Sequence, residues 1–157
     1  MVLALASPAG AGNGGTPYLG HVFPVQGPHW TRGEIGEFGA PRSGGRVHEG
    51  FDVVASCGVE LVAAASGRVV RSGYDPVLYG NFLLVRGAGE HRSYFYSHLR
   101  RPALVHKGER VWAGQHVGAV GKTGNARTVG CHLHFEIRDR GRPIDPAPIL
   151  RRWDRYS

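Results

Sequence analysis

No stretch of about 18 apolar residues occurs in the chain, so nothing in it is built to cross a bilayer as a helix. No long segment carries clean 3.6-residue periodicity, which argues against long amphipathic helices. There is no internal repeat and no composition shift that would mark a domain boundary. At 157 residues the chain is one domain of ordinary size, able to bury a proper core. The basic residues are not gathered with stacking aromatics. They are scattered, as at Arg100-Arg101, Arg138, Arg140, Arg142 and Arg151-Arg152, and this argues for a soluble basic surface over a nucleic-acid site. Cysteine is nearly absent, with only 2 in the chain.

What is abundant is turn chemistry. The 25 glycines and 10 prolines point to short strands joined by many turns. The expected strands are Val47 to Val54, Leu61 to Ala65, Gly67 to Ser72, a hairpin of Phe82–Val85 with His91–His98, two short strands before Val120, and a last strand from Cys131. Pro148 to Trp153 is expected as a short helix, and His29 to Arg42 as a loop near a groove rim. The fold class expected is all-β: packed antiparallel sheets with a substrate groove over one sheet face. Residues 1–16 read as a flexible N-terminal segment. Its apolar start and the A-x-A-like Ala9-Gly10-Ala11 make it either the remnant of a secretory signal peptide or a frayed apolar terminus. Residues 17–157 are then the single domain.

Two segments carry chemistry. In a strand, Cys131-His132-Leu133-His134-Phe135-Glu136 places His132, His134 and Glu136 on one face and Leu133 and Phe135 on the other. The second face is apolar and needs a core; the first presents two imidazoles, the side chain best suited to bind a metal or move a proton near neutral pH. Earlier, His48-Glu49-Gly50-Phe51-Asp52 forms H-x-G-x-D, which in an extended segment puts imidazole, bare glycine and carboxylate on one face. His48, Asp52 and one histidine of the later pair make three ligands of N, O and N type, the count of a catalytic zinc site with a fourth position open. The other histidine is free for proton work. A third segment, Tyr94-Phe95-Tyr96-Ser97-His98-Leu99, ends in a histidine that alternation places on the face of Tyr94 and Tyr96, at the edge of an aromatic-walled groove.

H-x-G-x-D, the tyrosine-rich strand ending in His98-Leu99, and H-L-H-F-E, in this order, resemble the signatures of the lysostaphin/LytM-type metalloendopeptidases. The similarity extends through Val111 to Gly118, Val120 to Gly124, and Ile144-Asp145-Pro146. It implies a zinc-dependent endopeptidase that hydrolyses peptide bonds in bacterial peptidoglycan, with one Zn²⁺ per chain. Residue by residue it implies His48, Asp52 and His134 as zinc ligands, and His98 and His132 as catalytic histidines that do not bind the metal. The chain has no H-E-x-x-H, so the glutamate base of other zinc proteases is absent and histidines must carry the protons. Glu136 and Glu49 read as solvated carboxylates in preference to groups that orient a histidine. The formal charge of +7 suits anionic cell-wall polymers, and the expected partner is a peptidoglycan peptide, not nucleic acid. A secreted or wall-associated monomer is expected.

Cys57 follows the first metal-bearing strand and Cys131 precedes the second. A Cys57–Cys131 disulfide would tie the two together, as export permits, and is preferred over two buried free thiols. The competing functional reading is a non-catalytic wall-binding or amidase-activating module of the same fold. Such modules lack one or more of the five site residues, and here all five positions are filled.

Overall fold

The computed structural model describes residues 20–154. The expectation for residues 1–16 therefore lies outside the described residues. Ten strands and one short helix follow one another: β1 (His29–Thr31), β2 (Phe51–Ala55), β3 (Glu60–Val62), β4 (Gly67–Asp75), β5 (Gly80–Gly87), β6 (Arg92–Leu99), β7 (Arg110–Val111), β8 (His116–Ala119), β9 (His132–Asp139), β10 (Arg142–Ile144) and α1 (Ala147–Trp153). Seven strands form a continuous antiparallel sheet in the order β1-β2-β9-β6-β5-β4-β7, with β10 also paired to β9. β3 and β8 form a second, two-stranded sheet. The all-β, antiparallel architecture is as expected. No helix among the described residues is long and apolar enough to cross a membrane.

Strand alternation decides which side of the large sheet is core. In β9, Leu133, Phe135 and Ile137 are fully buried, and their partners Val53 and Phe51 on β2 and Tyr96 and Tyr94 on β6 share that face. Leu61 of β3 and Val117 of β8 join the same apolar cluster, so the small sheet covers the core face of the large one. The opposite face of β9, with His132, His134 and Glu136, is left to floor a groove.

Three expectations needed correction. The first strand begins at Phe51, not Val47, because residues 47 and 48 pair with the preceding loop: Pro41 bridges Val47 and the His48 N–H donates to the Ala40 carbonyl at 2.8 Å. Part of the expected loop from His29 is the edge strand β1, paired with Val53 to Ala55. Tyr94 and Tyr96 do not wall a groove. Both are buried in the core, where the Tyr94 hydroxyl donates to Glu90 and the Tyr96 hydroxyl accepts the Ala64 N–H.

Candidate metal and catalytic site

Asp52 on β2 stands directly opposite His134 on β9, which stands directly opposite Ser97 on β6. This register sets the carboxylate beside the imidazole. His48, in the loop before β2, completes the group. Its Nε2 lies 2.8 Å from His134 Nδ1 and 3.0 Å from Asp52 Oδ1, and His134 Nδ1 lies 3.1 Å from the same oxygen.

The outer hydrogen bonds fix the tautomers. His48 Nδ1–H donates to the Glu37 carbonyl at 2.8 Å, and His134 Nε2–H donates to Glu136 Oε1 at 3.0 Å. In the neutral rings, His48 Nε2 and His134 Nδ1 are then both bare lone pairs. Two nitrogen lone pairs and a carboxylate oxygen converge on one point, an arrangement that repels itself unless a cation stands there. Tetrahedral ligands of zinc at about 2.0–2.1 Å lie roughly 3.3 Å apart, close to the observed triangle. The donor set and spacing fit a zinc ion.

The electrostatics agree. Burial opposes a charge on His134, but hydrogen bonds and charge from Asp52 and Glu136 outweigh it and push the imidazole up to about 9. Burial likewise works to raise Asp52, yet the contacts with His134 and His48 hold its carboxyl well below the usual range. The centre of the cluster favours positive charge, which a proton supplies when no metal does. Arg32 donates to Asp52 Oδ2 at 3.2 Å, which leaves Oδ1 to the histidines. Glu136 is buried and also held by Arg138, through Nε at 2.7 Å; it is not the solvated carboxylate expected. A ligating histidine backed by a carboxylate is the usual way a metal site fixes ring orientation.

His98 and His132 stand beside this cluster with ring centroids 4.8 Å apart. His98 reaches it by a departure from alternation. Between Tyr96 and Leu99, Ser97 and His98 together oppose the single residue Phe82, a β-bulge. His98 takes φ +62°, a left-handed conformation uncommon for a residue with a side chain. The bulge turns the imidazole out of the core face that Tyr94 and Tyr96 occupy and into the groove. There Nδ1–H donates to the Thr123 carbonyl at 2.8 Å, and His132 Nδ1–H donates to the Gly130 carbonyl at 3.0 Å. Each neutral ring therefore offers its Nε2 lone pair. Burial first, then the neighbouring histidines, push His98 down to about 3. Burial also lowers His132, against the pull of Asp52.

All five residues singled out in the sequence line one groove of about 720 Å³. One wall is the segment from Arg32 to Glu49; the other is Leu78, Tyr79, Asn125, Ala126 and Val129. Asn125 lies in this lining and the nearby Thr128 does not. Sequence reasoning missed the carbonyls of Glu37, Gly130 and Thr123, and it missed Arg32. The one available signal was Gly80 and Gly124, both at positive φ, where a Cβ on Gly80 would collide with Thr123. That close approach seats the Thr123 carbonyl on His98. Cys57 and Cys131 are joined in a disulfide with a Cα separation of 5.3 Å.

The model of peptidase family M23 matches residues 46–146. The murein hydrolase activator NlpD of Escherichia coli is 36% identical over 121 residues, covering 76% of this chain and 30% of that protein. The peptidoglycan DD-endopeptidase ShyC of Vibrio cholerae is 38% identical over 104 residues, covering 66% of this chain and 23% of its own length. The chain thus spans less than a third of the length of these two relatives. A zinc-containing peptidase from Vibrio cholerae superposes with a TM-score of 0.68 at 31% identity, over 80% of this chain and 39% of that one.

Proposed function

The chain belongs to peptidase family M23, the family of the lysostaphin/LytM-type endopeptidases, and from that premise we propose that it is a zinc-dependent endopeptidase cutting peptide bonds in bacterial peptidoglycan. The observation that carries the reading is the division of labour within one groove. Three lone pairs from His48, Asp52 and His134 converge, while two further histidines present free Nε2 atoms.

A zinc ion held by those three residues supplies Lewis acidity to a peptide carbonyl and acidifies water. The chain's own residues do the rest. Glu136, anchored by Arg138, holds His134 in the tautomer that turns Nδ1 inward. Arg32 keeps Asp52 from presenting both oxygens. His98 and His132 are neutral at pH 7, so one takes a proton from the attacking water at Nε2, and the protonated ring returns it to the leaving amine. The carbonyls of Thr123 and Gly130 fix both rings with that nitrogen toward the groove.

We place the protein outside the cytoplasm, secreted or wall-associated, acting on stem or cross-bridge peptides with anionic wall polymers as a second contact. The disulfide and the relatives' names, which refer to murein and peptidoglycan, support this. The decisive experiment is a mass-spectrometric digest of purified peptidoglycan with zinc-loaded and chelated protein. New peptide termini that appear only with zinc are expected. The second reading, a module that activates an amidase, is favoured by the NlpD relatives. Zinc bound at one per chain, no new peptide termini, and stimulation of an added amidase would establish it instead.

A further inference from the structure

The wall of the groove beside the metal ligands carries more positive charge than the proposed chemistry uses, which draws only on the one Arg32 contact with Asp52. Residues 39–48 fold back on themselves. The Gly39 N–H donates to the His48 carbonyl, and the Arg42 N–H donates to the Arg46 carbonyl across the turn at Ser43–Gly45. Arg42 is thereby projected toward the site, with its guanidinium tied by hydrogen bonds to the carbonyls of Pro41 and Ile35. Arg32 arrives from the end of β1. Gly36 lets its loop close over Asp52, since a Cβ there would lie 2.6 Å from Arg32 Cβ and 3.1 Å from Asp52 Cβ.

Both guanidiniums converge on one atom. Asp52 Oδ2 is 3.2 Å from Arg32 and 3.9 Å from Arg42. That carboxylate cannot neutralise two cations, because its other oxygen is committed to the histidine cluster. Arg32 spends one N–H on Asp52 and Arg42 spends two on carbonyls, so most of their ten N–H groups are unspent. Both side chains are about a quarter exposed and line the groove, and Arg46 stands further out on the same wall. Glu49 is the counter-charge exposed in the lining. The other carboxylate there, Glu136, is buried and paired with Arg138. The facing wall, formed by Leu78, Tyr79, Asn125, Ala126 and Val129, carries no charge.

We propose that Arg32 and Arg42 form a carboxylate-reading subsite, and that this groove takes a wall peptide bearing a free carboxylate beside the bond presented to His134. Planar guanidiniums with unspent donors match a carboxylate through paired hydrogen bonds, and a lysine would not reproduce that fork. A neutral polyglycine bridge offers this wall carbonyls but no negative charge, whereas a stem peptide with an acidic residue at the cross-link offers both. The proposal rests on the reading that the groove holds a wall peptide.

The test uses two synthetic cross-linked stem-peptide dimers that differ only in a carboxylate or a carboxamide on the diaminopimelate residue at the cross-link. Equilibrium binding is measured calorimetrically to zinc-loaded protein carrying His98→Ala, so that turnover does not interfere. The carboxylate form is expected to bind at least tenfold more tightly, with a preference that weakens as salt rises. Adding Arg42→Gln should reduce the preference to about twofold, Arg42→Lys should restore part of it, and zinc content should stay at one per chain in both as the check on folding. Equal binding of the two dimers would overturn the subsite, whether or not the native protein cleaves peptidoglycan. A preference that survives both Arg32→Gln and Arg42→Gln would overturn the assignment to these arginines. A preference lost in Arg42→Gln, in a protein that cuts no peptidoglycan, would support the subsite while removing the hydrolase reading.

Discussion

The His48, Asp52 and His134 donors meet within 2.8–3.1 Å of one another, whereas the Nε2 atoms of His98 and His132 are turned toward the groove by backbone carbonyls. Two histidines a strand apart should therefore fail differently when removed. His134→Ala should lose both metal and activity. His98→Ala should keep zinc near one per chain while activity falls by about 10²–10⁴-fold, the usual contribution of a positioned acid or base. Zinc by atomic emission, measured with peptidoglycan cleavage, separates the two, and full activity in either variant would refute the assignment. Proton linkage is a second consequence at this scale. Metal-free His134 is held protonated up to about pH 9, and Asp52 is already ionised. Zinc uptake at pH 7 should thus release close to one proton, from His134, and calorimetry in buffers of different ionisation enthalpy measures it. The same raised value stabilises the metal-free fold below the unfolded histidine value of about 6.5. That contribution is lost as pH rises through about 9, so metal-free protein should melt at lower temperature at pH 9 than at pH 6.

At the scale of elements, the chain entering β2 comes very close to β9. Gly50 sits where a Cβ would lie 2.5 Å from the Phe135 carbonyl and 2.8 Å from His134 Cε1. The space its missing side chain leaves is filled by the imidazole and the neighbouring backbone, so H-x-G-x-D needs its glycine to let His134 in. Gly50→Ala should cost about 2 kcal/mol by overpacking, lower the melting temperature by roughly 4–8 °C, and displace His134 enough to weaken zinc binding. An unchanged melting temperature and zinc affinity would show that the backbone yields freely here. The same elements show what a sequence can disclose. Alternation in His132 to Glu136 placed Leu133 and Phe135 on the core face and left His132, His134 and Glu136 on the other, because period-2 burial is local information. The β5–β6 hairpin was legible from its Gly87-Ala88-Gly89 turn. The side that His98 faces was not, because a bulge arises from two residues opposing one on a partner strand, and alternation within β6 alone pointed the wrong way. Glu136 misled for a related reason: its partner Arg138 is two residues on, on the same face, but the depth at which both sit is a property of the closed sheet.

For the molecule as a whole, the question is whether the disulfide builds the site or only stabilises it. Cys57 follows β2 and Cys131 precedes β9, and the bridge closes a loop with a sequence separation of 74, which contains β3 to β8. In the chain-entropy picture, cross-linking a loop of this size contributes about 4 kcal/mol by restricting the unfolded chain. The native pairing of β2 with β9 does not depend on the bridge: Phe51 to Val54 already face Phe135 to His132 in continuous antiparallel register. Replacing both cysteines by alanine should therefore lower the melting temperature by roughly 8–16 °C for a domain of this size, yet leave zinc stoichiometry and affinity intact at low temperature. Calorimetric melting and zinc titration at 10 °C measure the two effects separately. If the variant melted as expected but no longer bound zinc at 10 °C, Asp52 and His134 would depend on the bridge for their apposition, and the register of β2 on β9 would not suffice to assemble the site. If neither property changed, the loop-entropy account would be wrong for this chain, and the reduced unfolded state would have to be compact enough to keep these two strands near each other.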